Sequence, residues 1–433
     1  MSRQNRSVRN RPTSNQTSQF SFSEPVWRDV NVINFCKNNH VMYIMRGIPG
    51  SGKSTLAQSI KEQYPAGKAV ICCADDFRYN ESGQYVWSQD TLRESHSLCE
   101  NKADVNCRNG TNVIIIDNTN IRKRDMMKYF QMAHSYAYIV TVVATTERRL
   151  HVLANRNQHN VPRHQIAKMI NEFENIIAYY YAWKIGRKET SDIKKMVKRI
   201  LRSCLNAPMF QQFLGNGRYV QINQIYSTYH SKTFSSNADT SHVTTCYTNE
   251  GIIPNAQVYA FSHTVMKSLG CVHQLNIIGL CVTSKCLLAR VLLTEEQKRY
   301  WGRDDSMDED KNALCVELKD DVGLIGAFQR LGVGHVAEKI SGFIQNMDGC
   351  FLLPNFGIGC TAHITIGVTG NTKPVVAKND LKQIVLLELN EKPRAEWKLK
   401  TCLLRCYGDD IWVVYFKKPF IVAGMFTGVF CQR

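Results

Sequence analysis

At 433 residues and 44% apolar content, the chain is too long for one hydrophobic core and too apolar for a disordered polymer, so two folded domains are expected. A formal charge of +17 and a pI near 9.2 point to polyanionic partners such as RNA, nucleotides or an anionic membrane surface. No stretch of about 18 apolar residues exists to span a membrane, and the sixteen cysteines are scattered through apolar runs such as Val70 to Cys73 and Gly279 to Val282, which predicts reduced thiols and a cytoplasmic, monomeric protein.

Residues 1–24 are rich in Ser, Asn, Gln and Arg with almost nothing to bury, so they read as a disordered basic arm without an apolar signal segment. Residues 25–209 alternate short apolar runs (VMYIM, AVICCA, VIIID, AYIVTVVA) with helical patterns, which predicts an α/β domain around a parallel sheet. The stretch from Glu172 to Leu205 reads as helix and closes this domain. Its basic segment, Lys184 to Arg202, places Ile193, Met196, Val197, Ile200 and Leu201 on one face. Such a helix suits docking to RNA or calmodulin, though a solvated face over a buried stripe is the commoner arrangement. From residue 210 to 433 the texture turns to β-prone runs, so an α+β domain is expected there. The acidic stretch from Arg303 to Asp321 reads as an exposed insertion.

Within the first domain, Gly47-Ile-Pro-Gly50-Ser51-Gly52-Lys53-Ser54-Thr55 fits G-x-x-x-x-G-K-[ST] between an apolar strand and a helical run. The glycines let backbone N–H groups turn around a phosphate, the helix N-terminus adds partial positive charge, and Lys53 reaches the terminal phosphates. ATP or GTP with Mg2+ is therefore the expected ligand, with Ser54 as a metal partner. The run Ile116-Asp117-Asn118-Thr119-Asn120 resembles the second acidic motif of polynucleotide kinases, which implies Asp117 as a further metal partner. The run Asp75-Asp76-Phe77-Arg78 resembles the Asp-Asp-aromatic-Arg segment of polynucleotide kinases, which implies Asp75 as base and Arg78 on the acceptor phosphate. Two features depart from those kinases. Asn118 stands where they carry an acid, and Arg156 is the one arginine retained in a shortened lid, Arg156-Asn157-Gln158-His159.

In the second domain, Ser241-His242-Val243-Thr244 and Ala362-His363-Ile364-Thr365 each alternate polar and apolar residues, so on a strand each His and its Thr share a face. A pair of imidazoles can take a proton from water and deliver one to a departing oxygen. The Thr hydroxyls can donate to the non-bridging oxygens of a phosphate as charge builds on them. The pattern is weak alone, since about one His-x-Thr is expected by chance in such a chain.

The order of phosphate loop, HVTT and AHITIG, together with MRGIPGSGKSTLA, IDNTN, LCVTSKCLLARVLLTEEQ and MFTGVF, resembles 2',3'-cyclic-nucleotide 3'-phosphodiesterases of the two-histidine phosphoesterase superfamily over residues 41–430. The resemblance implies a bilobal second domain, hydrolysis of the 3' ester of 2',3'-cyclic nucleotides without metal, and a catalytic set of His242, Thr244, His363 and Thr365. It implies His363 as base toward water and His242 as acid. Tyr247 matches a family aromatic facing the nucleotide, and Tyr229 is expected to flank the base. Thr361 replaces an Arg of vertebrate relatives, and the chain ends Val429-Phe430-Cys431-Gln432-Arg433 without their prenylation box, so no lipid anchor is expected. Two other readings compete. One is an RNA end-healing enzyme whose kinase-like half is active. The other is a non-enzymatic scaffold for RNA or cytoskeleton.

Overall fold

The computed structural model describes residues 26–78, 89–215, 225, 229–230, 240–302, 357–370, 376–408 and 410–431. The N-terminal basic arm and the acidic stretch from Arg303 to Asp321 lie outside these residues. The first unit opens with helix α1 (Val30–Asn38), capped by the Asp29 carboxylate, which accepts from the Asn31 amide at 2.7 Å. Strands β1 (Val41–Arg46), β2 (Ala69–Cys72), β3 (Val113–Ile116) and β4 (Ile139–Ala144) form a parallel sheet in the order β2-β3-β1-β4, and they coincide with the four apolar runs of the sequence. The intervening helices are α2 (Lys53–Lys61), α3 (Gln89–Arg108) and α4 (Lys123–Ser135).

Every residue of β1 is buried because both faces of the sheet are covered. Val41, Tyr43 and Met45 pack with Phe35 of α1 and Ile60 of α2, while Met42 and Ile44 pack with Cys99 of α3 and Phe130 of α4. Helices α5 (Leu150–Arg156) and α6 (Arg163–Asn171) follow β4 and pair with each other through Leu153 and Ile166.

The sequence reading of Glu172 to Leu205 as one helix is corrected here. Tyr180–Ile185 is strand β5, and the helix α7 spans only Arg187–Cys204. Three successive tyrosines before Ala182 and Trp183 favour extended chain, where aromatic rings pack across a pleated surface. The break is enforced at Gly186, where a Cβ would sit 1.8 Å from Asn39 Oδ1 of the first unit. The short helix α8 (Pro208–Gly215) follows.

Strands β6 (Tyr229–His230), β7 (His242–Tyr247), β8 (Val272–Thr283), β9 (Cys286–Leu292), β10 (His363–Thr369), β11 (Ala395–Lys398), β12 (Cys402–Gly408) and β13 (Ile411–Val429) join β5 in a nine-stranded sheet. The main path runs β11-β12-β13-β8-β9-β10-β6, and the far half of β13 turns to pair β5, which pairs β7. All these pairings are antiparallel. The runs β7-β5-β13 and β10-β9-β8 are thus matching three-strand blocks, joined where β13 pairs β8, which is the two-lobed plan that the resemblance implied. Helix α9 (Val376–Asn390) covers Leu288, Leu403 and Tyr415 on one face.

Since β5 is integral to this sheet, the division expected near residue 210 moves forward, and we place it near residue 177. The two units pack β4 against β13, where the Thr427 hydroxyl donates to the Val140 carbonyl at 2.6 Å and Met425 joins the core of the first sheet. Among the described residues, no helix is long and apolar enough to cross a membrane.

Candidate active site

The two histidine motifs begin β7 and β10, and these strands approach each other to within 8 Å between Cα atoms although 120 residues separate them in the chain. In β7, His242 pairs with Lys184, Thr244 with Ala182 and Tyr247 with Tyr180. Strict alternation would put Tyr247 on the opposite face from Thr244, three residues earlier. A bulge at Thr245 inserts one unpaired residue, and this turns Tyr247 to the face of His242 and Thr244.

β10 repeats the device. His363 pairs with Arg290 and Thr365 with Leu288, then a bulge at Ile366 brings Val368 onto the same face opposite Cys286. Both bulges fall three residues after the histidine. The two strands therefore present the same succession of side chains, as the twofold plan of the sheet requires.

His363 is 8% exposed, and its Nδ1 lies 2.7 Å from the Thr361 carbonyl. A carbonyl only accepts, so Nδ1 carries the proton and Nε2 is the nitrogen left to exchange protons. Thr361 is itself fully buried and brings no cation to the site. His242 Nδ1 is buried, and its ring stacks on Tyr180 with centroids 5.3 Å apart and planes at 29°. Ala182, between Tyr180 and Lys184 on β5, is small enough for that stack to form. Tyr247 is 44% exposed, and its hydroxyl donates to that of Tyr179 at 2.6 Å, with the two rings edge to face. Thr244 and Thr365 are half-buried.

Tyr229 is a correction. It is 3% exposed and donates to the Thr283 carbonyl at 2.7 Å, so its ring belongs to the core beside β10 and offers no face to a base. Tyr180 holds the place beside His242 instead, and Tyr179 packs edge to face on Tyr247. They were missed because their strand was read as helix.

In the first unit, the loop from Gly47 to Gly52 leads from β1 into α2, as the motif requires. Gly50 has φ +79°, and a Cβ there would sit 2.2 Å from the Leu153 carbonyl oxygen, so only glycine fits. Ser51 and Thr145 share a hydroxyl hydrogen bond of 2.7 Å beneath Gly47, and Gly52 and Thr55 lie exposed at the start of α2. Burial lowers the Lys53 ammonium below its ordinary value while Asp117 and Asp75 hold it up. Burial raises the Asp117 carboxyl, opposed by Ser54 and Lys53. Asp117 Oδ1 is buried without a hydrogen-bond partner.

Asp75 meets Arg78 Nη1 at 3.3 Å and His159 Nε2 at 3.7 Å, and Arg78 also donates from Nε to Ser95 at 3.0 Å. Arg78 is therefore buried beside Asp75, whereas Arg156 is exposed at the end of α5. Asn118, standing in place of an acid, accepts from the Ala74 amide at 3.0 Å and donates to the Tyr129 hydroxyl at 3.2 Å, so it fixes the chain just ahead of Asp75. Neither His159 nor Asn118 announced this role in the sequence.

Comparison with known proteins divides the chain at the same place as the sheet does. The model of the AAA domain matches residues 42–176, and that of 2',3'-cyclic nucleotide 3'-phosphodiesterase matches residues 177–328, which include His242. The chain is 25% identical over 414 residues to a 2',3'-cyclic-nucleotide 3'-phosphodiesterase of Pongo abelii and 24% identical over 422 residues to that of Rattus norvegicus, in each case over 94% of this chain and 86% of the relative. A 141-residue stretch is 33% identical to NEDD4-binding protein 2 of Homo sapiens, covering 32% of this chain and 8% of that one. Among solved structures, a chain of the Pnkp1/Rnl/Hen1 RNA repair complex matches with a TM-score of 0.27 and 22% identity, over 31% of this chain and 44% of that chain.

Proposed function

We propose that the chain is a member of the 2',3'-cyclic-nucleotide 3'-phosphodiesterase family that it resembles, and that His242 and His363 open the cyclic phosphate as an acid and base pair, with no metal in the step. The observation that carries the reading is the matched pair of strands β7 and β10, each with His, Thr and a bulge in the same register.

His363, with Nδ1 turned to the Thr361 carbonyl, accepts a proton from water at Nε2. The water oxygen bonds to phosphorus as the bond from phosphorus to O3' breaks. The Thr244 and Thr365 hydroxyls donate to the non-bridging oxygens, where charge accumulates in the five-coordinate state. His242 delivers its proton to O3', so the product is a 2'-phosphate with a free 3'-hydroxyl, and the two rings exchange protonation states with solvent before the next turnover. Tyr180 supports the His242 ring from one side, and Tyr247 offers the exposed aromatic face on which a base can stack.

The phosphate loop fits a nucleotide with Mg2+. The unpaired, buried Oδ1 of Asp117 beside Ser54 and Lys53 is an acceptor set for a hard cation, and the bound ion would neutralise phosphate charge there. Lys53 would hold the terminal phosphates and Asp117 would fix the ion. Asp75, within electrostatic reach of Lys53, favours a second reading in which this unit phosphorylates a 5'-hydroxyl. In that reading γ-phosphate transfer to an oligonucleotide is lost in Asp75→Ala.

The test of the main reading is product analysis with 2',3'-cyclic AMP in excess EDTA. A 2'-phosphate formed at the rate seen without chelator is expected. A 3'-phosphate, or loss of turnover on chelation, would overturn it.

A further inference from the structure

Helix α7 carries seven cations against two carboxylates, Glu189 and Asp192, over its 18 residues. Its apolar stripe is committed to the core, with Ile193, Val197 and Leu201 at 0% exposure packed in the same cluster as Trp183 and Val243. A partner that grips basic amphipathic helices by their apolar face, as calmodulin does, would have to strip α7 from the sheet. Insertion into a membrane interface meets the same obstacle. What the helix leaves outside is charge.

That charge is ordered. Lys188, Lys195, Arg199 and Arg202 are all exposed and recur at intervals of seven, four and three residues, which sets them in one line along about 21 Å of helix axis. Lys195 meets Asp192 at 3.1 Å; among the described residues the other three have no ion pair. A line of cations at this spacing suits a chain of phosphodiesters better than an isolated anion.

The line starts at the His242 end of β7, where the Thr190 hydroxyl in the first turn of α7 accepts from the Ser241 amide at 3.0 Å, although the helix itself packs on the opposite face of the sheet, against Trp183 and Val243. Lys184, the cross-strand partner of His242, is the second-last residue of β5, and α7 begins just past Gly186. A strand leaving the cleft at the His242 end meets the first turn of α7.

We propose that the exposed stripe of α7 holds the phosphodiester backbone of single-stranded RNA whose cyclic 3' end occupies the cleft. This deepens the phosphodiesterase reading and depends on it for the identity of the bound end. The RNA backbone is held by Lys188, Lys195, Arg199 and Arg202, and the substrate class is an RNA terminus, with the free cyclic nucleotide as its smallest fragment.

The test compares the full chain with a Lys188→Glu, Lys195→Glu, Arg199→Glu, Arg202→Glu variant, with a matching set of Gln substitutions as a milder second variant. Substrates are a 5'-labelled RNA 12-mer ending in a 2',3'-cyclic phosphate and free 2',3'-cyclic AMP. The Glu variant is expected to raise KM for the RNA at least tenfold, with the Gln variant between it and wild type, while kcat/KM for cyclic AMP is unchanged. In anisotropy titrations the slope of log Kd against log salt should fall by roughly 3, at about 0.7 per phosphate contact for single strands. An unchanged KM for the RNA, or equal losses on both substrates, would overturn the proposal. So would a variant that keeps RNA binding but loses sedimentation with phosphatidylserine vesicles. Anisotropy needs no turnover, so a wild-type chain that bound RNA through α7 yet opened no cyclic phosphate would sink the phosphodiesterase reading and leave the binding surface standing.

Discussion

Glu388→Ala leaves Arg290 inside the second sheet without its counter-ion. The two side chains are 3% and 2% exposed and form a bidentate pair, Nη1 to Oε1 at 2.5 Å and Nη2 to Oε2 at 2.9 Å, while the Tyr415 hydroxyl donates to the same carboxylate at 2.6 Å. Burial by itself would depress the Arg290 guanidinium, and Glu388 more than offsets it, holding the group above its ordinary value. Breaking such a pair from one side strands a buried charge, at a cost of about 3–5 kcal/mol. At ~2–4 °C per kcal/mol for a unit of about 250 residues, the transition of the second unit should fall by about 6–20 °C in calorimetry of the full chain. Arg290→Met with Glu388→Leu removes both charges and should recover most of that loss, because the desolvation of the pair disappears with it. Since Arg290 stands opposite His363 in the ladder, the pair also anchors the strand that bears this imidazole. A single variant as stable as wild type, or a double variant that falls as far as the single one, would refute the reasoning.

Three further outcomes are expected. Tyr247→Ala should raise KM for 2',3'-cyclic nucleotides by about 5–150-fold, the equivalent of ~1–3 kcal/mol of base stacking, whereas Tyr247→Phe stays near wild type; an unchanged KM in the Ala variant would remove Tyr247 from the substrate site. Asp117→Asn should abolish the thermal stabilisation that ATP with Mg2+ gives and leave phosphodiesterase turnover intact, so an undiminished thermal shift would move the metal elsewhere. His273 accepts at Nδ1 from the Trp183 indole at 3.0 Å, and burial holds its imidazole below the ordinary 6.5. The unfolded chain takes up that proton near 6.5 while the folded chain resists it, so this contribution is complete above 6.5 and is lost as pH falls toward the depressed value. Urea unfolding between about pH 7 and pH 5 should show that His273→Gln flattens the loss by up to ~1.4 kcal/mol per pH unit, and parallel curves for the two proteins would contradict this.

The parallel sheet was legible because β1 to β4 are short apolar runs set between helical patterns, and the phosphate loop because its glycines, Lys53 and Ser54 form a contiguous signal. β5 was not, because Glu172 to Leu205 mixes an aromatic strand with a long amphipathic helix, and the helical periodicity of α7 dominates the window. That misreading displaced the domain boundary and hid Tyr180, whose contact with His242 exists only across two paired strands. The His-x-Thr pairs were found by alternation, but alternation fails beyond each bulge, so the placement of Tyr247 on the side of His242 and of Val368 on the side of His363 needed the register of β7 against β5 and of β10 against β9. Tyr229 was misjudged for the reverse reason. Its ring looks available in sequence and is sealed by β10 and the Thr283 carbonyl in the fold.

The central claim is that His242 and His363 act on one phosphate as one unit. Rates for 2',3'-cyclic AMP hydrolysis by His242→Ala, His363→Ala and the double variant test it directly, since groups that serve a single step are not additive. Each single variant should lose at least about a thousandfold in kcat, and the double variant should be little worse than either. A single variant that retains the wild-type rate, or a double variant whose loss is the product of the two, would contradict it.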